Sequence, residues 1–322
     1  MTQQVDPASG GNVAPPPPRA TVIAPGNYDG VHLGHQALLR RATQFAEQHN
    51  LSTTVLTFDP HPGAVIGATA KAVLTLHPRR AELLRTAGAD RVIVQSFTHD
   101  FASLSPEDFV ETLLARGARA LVVGPDFHFG SMRGGDVALL ETLARARGFT
   151  VLLEPPVQLE GERVSSSAIR TALIAGHVRR AAELLGRVHE VQGRVVLGDQ
   201  RGRTLGFPTA NIAIEPVLPP ADGVYAVLLR ELDGVGNPRN LIHGVANLGT
   251  RPTFAAGRSV EVHLFDFDRD IYNREVRVGF VERIRGEQRF ANLEELRAQI
   301  ARDCARAREL LGTVTANWTE AL

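Results

Sequence analysis

Apolar and polar positions fall into two different textures along this chain. In the first, short apolar runs of strand length at 21–24, 53–58, 91–94, 120–123 and 150–153 alternate with stretches whose apolar residues recur at helical spacing, at 35–49, 78–87, 106–116 and 135–147. Strands alternating with helices predict an open parallel sheet wrapped by helices, with ligands at the carboxyl ends of the strands. After Leu185 the runs become short, rich in β-branched residues and bounded by Gly, Pro, Asp and Asn: 193–198, 223–230, 241–249, 260–265 and 275–284. Their spacing predicts an antiparallel barrel. From about Leu293 to Leu311, apolar Leu296, Ile300, Cys304 and Leu311 at roughly helical spacing predict a helix closing over it. The expected fold class is α/β plus β, divided into a tail at 1–20, an α/β domain at 21–185 and a β domain at 186–322.

Composition sharpens this division. The first twenty residues, with a glycine pair and four consecutive prolines, Pro15 to Pro18, cannot bury enough apolar surface to fold and read as a disordered tail. They lack the charged start and apolar core of a signal peptide. A length of 322 residues suits two domains, and no apolar run is long enough to span a bilayer. A single cysteine, Cys304, excludes an internal disulfide and fits a reducing cytosol, so a cytoplasmic location is expected. Its place in a helical pattern reads as a core position rather than a catalytic thiol. Formal net charge is zero with no basic run, which argues against a nucleic-acid partner.

The first concentration of chemistry is GNYDGVHLGH, Gly26 to His35. Gly26 and Gly30 let the backbone turn after the first strand, and Leu38, Leu39, Ala42 and Phe45 begin a helix. His32 and His35 then stand at that helix's N-terminus, where free N–H groups and the macrodipole favour an anion. Two histidines at such a place can also simply cap the helix. Against that, Gly34 in the first turn costs helix stability unless something approaches the backbone closely. The only lysine is Lys71, outside any Gly-Lys-Ser/Thr run, so a P-loop is excluded. A lysine-rich loop of the kind used by aminoacyl-tRNA synthetases is excluded equally. Nucleotidyl transfer onto a small molecule is the common use of the histidine pair that survives.

Polar loops follow the predicted strands: TFDPHP at 57–62, GPDFHFG at 124–130 and VSSSAIR at 164–170. Capping alone would account for Ser165 or Ser166. The alternative is that the serines hold phosphates while Arg170 supplies a fixed positive charge in place of the missing lysine. In the second half RGRTLGFPTAN, 201–211, reads as a loop in which glycines permit close approach, Pro208 fixes its φ, and Thr209 and Asn211 offer neutral oxygens suited to a Mg²⁺–phosphate shell.

These motifs together resemble the bacterial bifunctional riboflavin kinase/FAD synthetase family. GNYDGVHLGH matches the pattern GxFDGVHxGH with Tyr28 for Phe, VSSSAIR matches VSSTxIR with Ser167 for Thr, and GPDFHFG matches GxxFxFG with Asp126 where some members carry Asn. RGRTLGFPTAN carries the riboflavin kinase signature GRxLGFPTAN, and the resemblance continues through 246–254 and 258–272, covering about 20–312 in family order. It implies a Rossmann-like nucleotidylyltransferase domain followed by a riboflavin kinase barrel. In the first, His32 and His35 would be catalytic, Gly26, Tyr28, Asp29, Gly34, Ser165, Ser166 and Arg170 would bind ATP, and Phe58, Asp126 and Phe127 would bind flavin. In the second, Glu261 would be the catalytic base, Gly198, Arg201, Gly206, Pro208, Thr209 and Asn211 would bind ATP and flavin, and Thr209 and Asn211 would hold Mg²⁺ or a similar divalent ion. A glutamate on a strand is otherwise read as a solvated face, with Val260 and Val262 pointing inward. Asn273 replaces a usual Gly and tolerates positive φ. Arg187-Val188-His189 replaces Arg-Pro-Tyr, which is expected to affect the linker more than the chemistry.

The implied activity is phosphorylation of riboflavin by ATP to FMN, then adenylylation of FMN by a second ATP to FAD and pyrophosphate. The implied partners are riboflavin, FMN and ATP, with no nucleic acid and no membrane; an oligomer is possible. Two other readings stay open on residues alone: a kinase whose first domain is a scaffold, and a flavin-binding module without turnover.

Overall fold

A computed structural model describes residues 20–67, 72–198, 202, 205–233, 238–250 and 258–314. The tail assigned to 1–20, apart from Ala20, lies outside them, as do Lys71, Arg201 and part of the 246–254 motif.

The first half is built on five parallel strands, β1 (Thr21–Pro25), β2 (Ser52–Asp59), β3 (Arg91–Ser96), β4 (Ala118–Val123) and β5 (Thr150–Leu153), in the order β3-β2-β1-β4-β5. All five predicted strands are present. The central β1 is buried along its whole length, as expected for a strand with both faces covered. Around the sheet run α1 (Leu33–Gln48), α2 (Pro62–Val65), α3 (His77–Thr86), α4 (His99–Ala102), α5 (Pro106–Leu114) and α6 (Val137–Arg147). Strand order reverses between β1 and β4, and the crevice there is where an open α/β sheet presents a ligand site. A small hairpin, β6 (Gln158–Leu159) and β7 (Glu162–Arg163), leads into α7 (Ser166–Ile174) and α8 (Val178–Leu185).

The second half is a closed barrel of β8 (His189–Val196), β9 (Ala210–Ile214), β10 (Gly223–Leu232), β11 (Pro238–Thr250), β12 (Arg258–Leu264) and β13 (Glu275–Arg285), ordered β10-β11-β12-β9-β8-β13. Strand β9 corrects the sequence reading, in which Asn211 belonged to a loop. A five-residue strand beside a Gly- and Pro-rich run has no periodicity to announce it; pairing with β12 on one side and β8 on the other makes it. Alternate residues fill the interior, among them Val195, Ile212, Tyr225, Val260, Val262 and Phe280. Those between them on β10 and β13, Val224, Ala226, Leu228 and Val281, face outward and are covered by Ala307 and Leu311 of α9 (Leu293–Leu311). The closing helix has the predicted bounds.

One hydrophobic core joins the halves. Ile169, Leu173, Val178, Ala181 and Leu184 of α7 and α8 belong to the same buried cluster as the barrel interior. Polar groups ring this seam: Arg79 of α3 pairs with Glu190 of β8, Arg277 of β13 donates to Glu82 of α3 at 2.7 Å, and Ala221 N donates to Leu173 O at 2.9 Å. Leu184 is fully buried there. Leu184→Ala is expected to cost about 2–5 kcal/mol and to lower the denaturation midpoint of both halves together. Urea titration followed by circular dichroism and by each activity separately checks this; two separated transitions would contradict it.

Candidate functional site

The histidine loop lies at the sheet's switch point. His32 ends the loop in extended conformation and caps α1, its Nδ1 accepting from His35 N at 3.4 Å, so in the neutral ring the proton resides on Nε2. Capping is thus real, but it is not the whole of the arrangement. The two imidazoles stack with centroids 3.6 Å apart and planes 17° apart, and Tyr28 lies 5.0 Å from His35. Gly34 is needed for this packing, since a Cβ there would press on the His32 ring at 3.2 Å.

Burial decides the charge of the pair. His32 is 7% exposed and its pKa is lowered to about 4, chiefly by desolvation and then by the Arg187 and Arg163 charges. His35 is held well below the usual imidazole range by burial, by His32 and by Arg187, and its Nδ1 is buried with no hydrogen-bond partner. Both rings are therefore neutral at pH 7, able to donate through N–H without carrying charge.

The remaining residues of this half are divided between scaffold and rim. The Asp29 carboxylate accepts from Leu74 N at 2.8 Å and Thr75 N at 3.1 Å and pairs with Arg170. Ser165 Oγ caps α7 by accepting from Ala168 N, and Ser166 Oγ donates to the Asp29 carbonyl at 2.8 Å. These contacts draw the start of α7 against the histidine loop. Gly26 packs under the Tyr28 ring. Phe58 ends β2 against Phe97, Phe127 stacks on Phe129, and Asp126 pairs with Arg163 at 2.5 Å on the exposed rim. His61, whose pKa is lowered by burial first, caps α2 nearby.

Arg187 and Arg163 were missed as site residues. The Arg187-Val188-His189 entry does more than link: Arg187 is buried and donates to Gly30 O at 2.8 Å and Val31 O at 3.3 Å. In sequence it carries no signal beyond its position at a domain junction.

In the barrel, antiparallel register places Asn211 of β9 opposite Glu261 of β12, and Glu261 opposite Asn247 of β11. All three lie on the outward face, because Val260 and Val262 point inward as expected. Asn211 is 5% exposed, and its Oδ1 is buried without a hydrogen-bond partner. Gly198 packs directly on the Asn211 amide, leaving no room for a Cβ. Two cavities meet here. One of about 600 Å³ is lined by Phe207, Thr209, Asn247, Glu261, Phe290 and Leu296, and another of about 420 Å³ by Pro208, Thr209, Phe267, Asp270 and Tyr272 among others. Thr209 belongs to both walls. Gly206 occupies the adjoining turn at φ +84°, and Asn273 adopts the positive φ of +62° that its replacement of Gly demands. Arg285, bidentate to Asp303 of α9, closes the larger cavity. Asn247 and Arg285 were not singled out from sequence, although outward polar residues on otherwise apolar strands are a readable signal.

Among the described residues no group of three or more His, Cys, Asp or Glu side chains is arranged to hold a metal. Neutral donors are present instead: Asn211 Oδ1 needs a partner, and Thr209 is its neighbour. That donor set suits a hard divalent ion completed by substrate phosphates rather than an all-protein cage. Cys304 is half-buried, with its thiol pushed up to about 11 by burial and then by Asp303, as befits a packing role.

A family model described as FAD synthetase matches residues 14–168, and one described as riboflavin kinase matches 185–311. A bifunctional riboflavin kinase/FMN adenylyltransferase of Escherichia coli K12 is 42% identical over 94% of this chain and 96% of its own length. The protein of that name in Bacillus subtilis is 36% identical over 88% of this chain and 90% of its own. A crystal structure from Streptococcus pneumoniae, named a macrolide-efflux protein, superposes with a TM-score of 0.81 at 31% identity, covering 92% of this chain and 95% of that one. No helix among the described residues is long and apolar enough to cross a membrane.

The depressed imidazoles imply a pH dependence of stability. His32 and His189, both buried and lowered to about 4, bind protons more readily unfolded, where the ordinary value of 6.5 applies. Their contribution is complete above about pH 6.5 and is lost as pH falls through about 4. A thermal midpoint that declines across that window in calorimetry is the expected result; a flat profile would contradict the neutral assignment.

Proposed function

Because this chain belongs to the bifunctional riboflavin kinase/FMN adenylyltransferase family, we propose how its side chains divide the two reactions, with residues 21–185 serving one and 186–322 the other. It phosphorylates riboflavin with ATP to give FMN and ADP, and it joins FMN to the AMP part of a second ATP to give FAD and pyrophosphate.

For the kinase step, the larger cavity offers an aromatic and aliphatic lining to the flavin ring and the smaller one receives the nucleotide. Thr209, shared by both, stands at their partition beside Glu261 and Asn211. Glu261 takes the proton of the riboflavin 5′-hydroxyl as that oxygen bonds to the γ-phosphorus and the bond to ADP breaks. Thr209 and Asn211 would hold Mg²⁺ or a similar divalent ion, which would supply neutralisation of phosphate charge; the unsatisfied Asn211 Oδ1 supports this.

For the adenylyl step no protein base is required, since the FMN phosphate is already an anion. Its oxygen attacks the α-phosphorus and pyrophosphate leaves. His32 and His35 donate to phosphate oxygens as charge shifts onto them, while the N-terminus of α7 and Arg170 favour the anion from the opposite side. Neutral rings suit this task because a donor need not lose a proton to act. Asp126 and Phe127, with Phe58, form the flavin-facing rim. A cytoplasmic site of action fits the lone cysteine.

The observation that carries this division is spatial: the neutral histidine pair stands at the switch point of the sheet, and the single outward glutamate of β12 lines the larger barrel cavity, whose wall shares Thr209 with the smaller one. His32→Ala is expected to reduce FAD formation from supplied FMN by about a hundredfold or more and to spare FMN formation. Asn211→Ala or Glu261→Ala should do the reverse, with a loss of about 10²–10⁴ in riboflavin phosphorylation. Chromatographic analysis of products from riboflavin or FMN with ATP and Mg²⁺ reads both. Equal loss of the two reactions in a folded variant would overturn the assignment.

A further inference from the structure

We infer that Arg187, the residue through which the chain enters the barrel, is a positioning residue for adenylyl transfer that ties the geometry and charge of the histidine loop to the other half of the molecule. The inference rests on the reading of His32 and His35 given above.

The loop needs such a support. Three of its residues lie at positive φ, Tyr28 at +53°, Gly30 at +87° and Val31 at +42°, and a β-branched valine does not hold that conformation unaided. The Val31 carbonyl is clamped from two directions, by Arg187 at 3.3 Å and by Gln36 Nε2 at 3.0 Å, and the same Gln36 amide donates to Leu185 O at 2.9 Å. The second guanidinium nitrogen of Arg187 takes the Gly30 carbonyl at 2.8 Å. A planar fork reaching two successive carbonyls fixes the peptide immediately before His32, which a point charge on a flexible stem does less well.

Burial lowers the Arg187 pKa to about 10, Glu190 of β8 favours its protonated form and Arg79 of α3 opposes it, so it is cationic at neutral pH. Glu190 pairs with Arg79, Arg79 with Glu82 at 2.5 Å, and Glu82 with Arg277 of β13. A line of ion pairs thus runs from Arg277 in the barrel wall to Glu190, whose charge in turn acts on Arg187. The charged groups acting on His32 are Arg187 from the barrel entry and Arg163 from β7; on His35 they are His32 and Arg187. Removing the Arg187 charge therefore makes both imidazoles easier to protonate.

The test uses the full chain with Arg187→Met and Arg187→Lys, measuring FAD formation from supplied FMN and ATP across pH, with FMN formation from riboflavin as the internal control and His32→Ala alongside. For Arg187→Met, kcat for FAD formation should fall by about a hundredfold, FMN formation should be unchanged, and the acid limb of the FAD profile should move toward neutrality by about one pH unit. Arg187→Lys should lose rate but keep the limb in place, because the charge remains. An unchanged FAD profile in Arg187→Met overturns the inference; a rate loss with the same limb in both variants also overturns it, leaving Arg187 a prop for the fold. Should circular dichroism show Arg187→Met to be unfolded, an Arg187→Lys variant with full FAD activity overturns the inference and one with reduced activity supports it. If His32→Ala retains FAD formation, it is the underlying histidine reading that fails.

Discussion

Everything in this molecule depends on α7 and α8 burying their apolar face in the core of a barrel to which they are joined only by a short entry segment. Leu173, Val178, Ala181 and Leu184 leave water against the barrel interior, so that interior and the sheet's last helices form one cluster. Once α7 is fixed there, its first turn is fixed too, and with it Ser166 and Arg170, which grip Asp29 in the histidine loop. The site we propose for nucleotidyl transfer is assembled across that joint. The sheet contributes the imidazoles, α7 contributes a helix N-terminus, and the barrel entry contributes the cation beneath.

The two proposed sites would solve the same problem, stabilising phosphates in transit, by opposite means. At the sheet's switch point the chain removes water until the imidazoles are neutral, then surrounds them with arginines that are mostly paired elsewhere: Arg170 with Asp29, Arg163 with Asp126, Arg187 with backbone carbonyls. Such pairing keeps positive charge near the phosphate path while fixing where each side chain points. At the barrel, polar side chains are carried on the outward face of well-packed strands, so the alternation that fills the interior with valines also delivers Asn211, Glu261 and Asn247 to a single row. A rigid sheet positions them more closely than a loop would. Gly198 completes the row by leaving space for the Asn211 amide.

Arginine serves nearly every cationic role here, and the seam shows a physical benefit. Ion pairs among Arg79, Glu82, Glu190 and Arg277, buried at both arginines and at Glu190, need several donors in fixed directions to satisfy each carboxylate. Pairs of this kind are costly to break singly, because the partner left behind is buried and charged. They make the relative placement of the two halves specific where the hydrophobic core alone would permit sliding.

Much of this was legible in the residues themselves. The parallel strands, the closing helix from Leu293 to Leu311, the inward Val260 and Val262 flanking Glu261, and the positive φ at Asn273 all follow from local rules: periodicity, side-chain alternation and the steric tolerance of asparagine. The motif residues His32, His35 and Asn211 were likewise visible as types suited to phosphate chemistry, whereas Glu261 drew notice only through the family resemblance. Tertiary structure alone decided the rest. It made 210–214 a strand, because pairing on both sides outweighs weak local propensity. It bound Arg170 to Asp29, and raised Arg187 from a linker residue to the support of the histidine loop. Local sequence encodes the shape each segment prefers, whereas the partner of a charge and the degree of its burial are properties of residues far apart in the chain, and only the folded molecule brings those together.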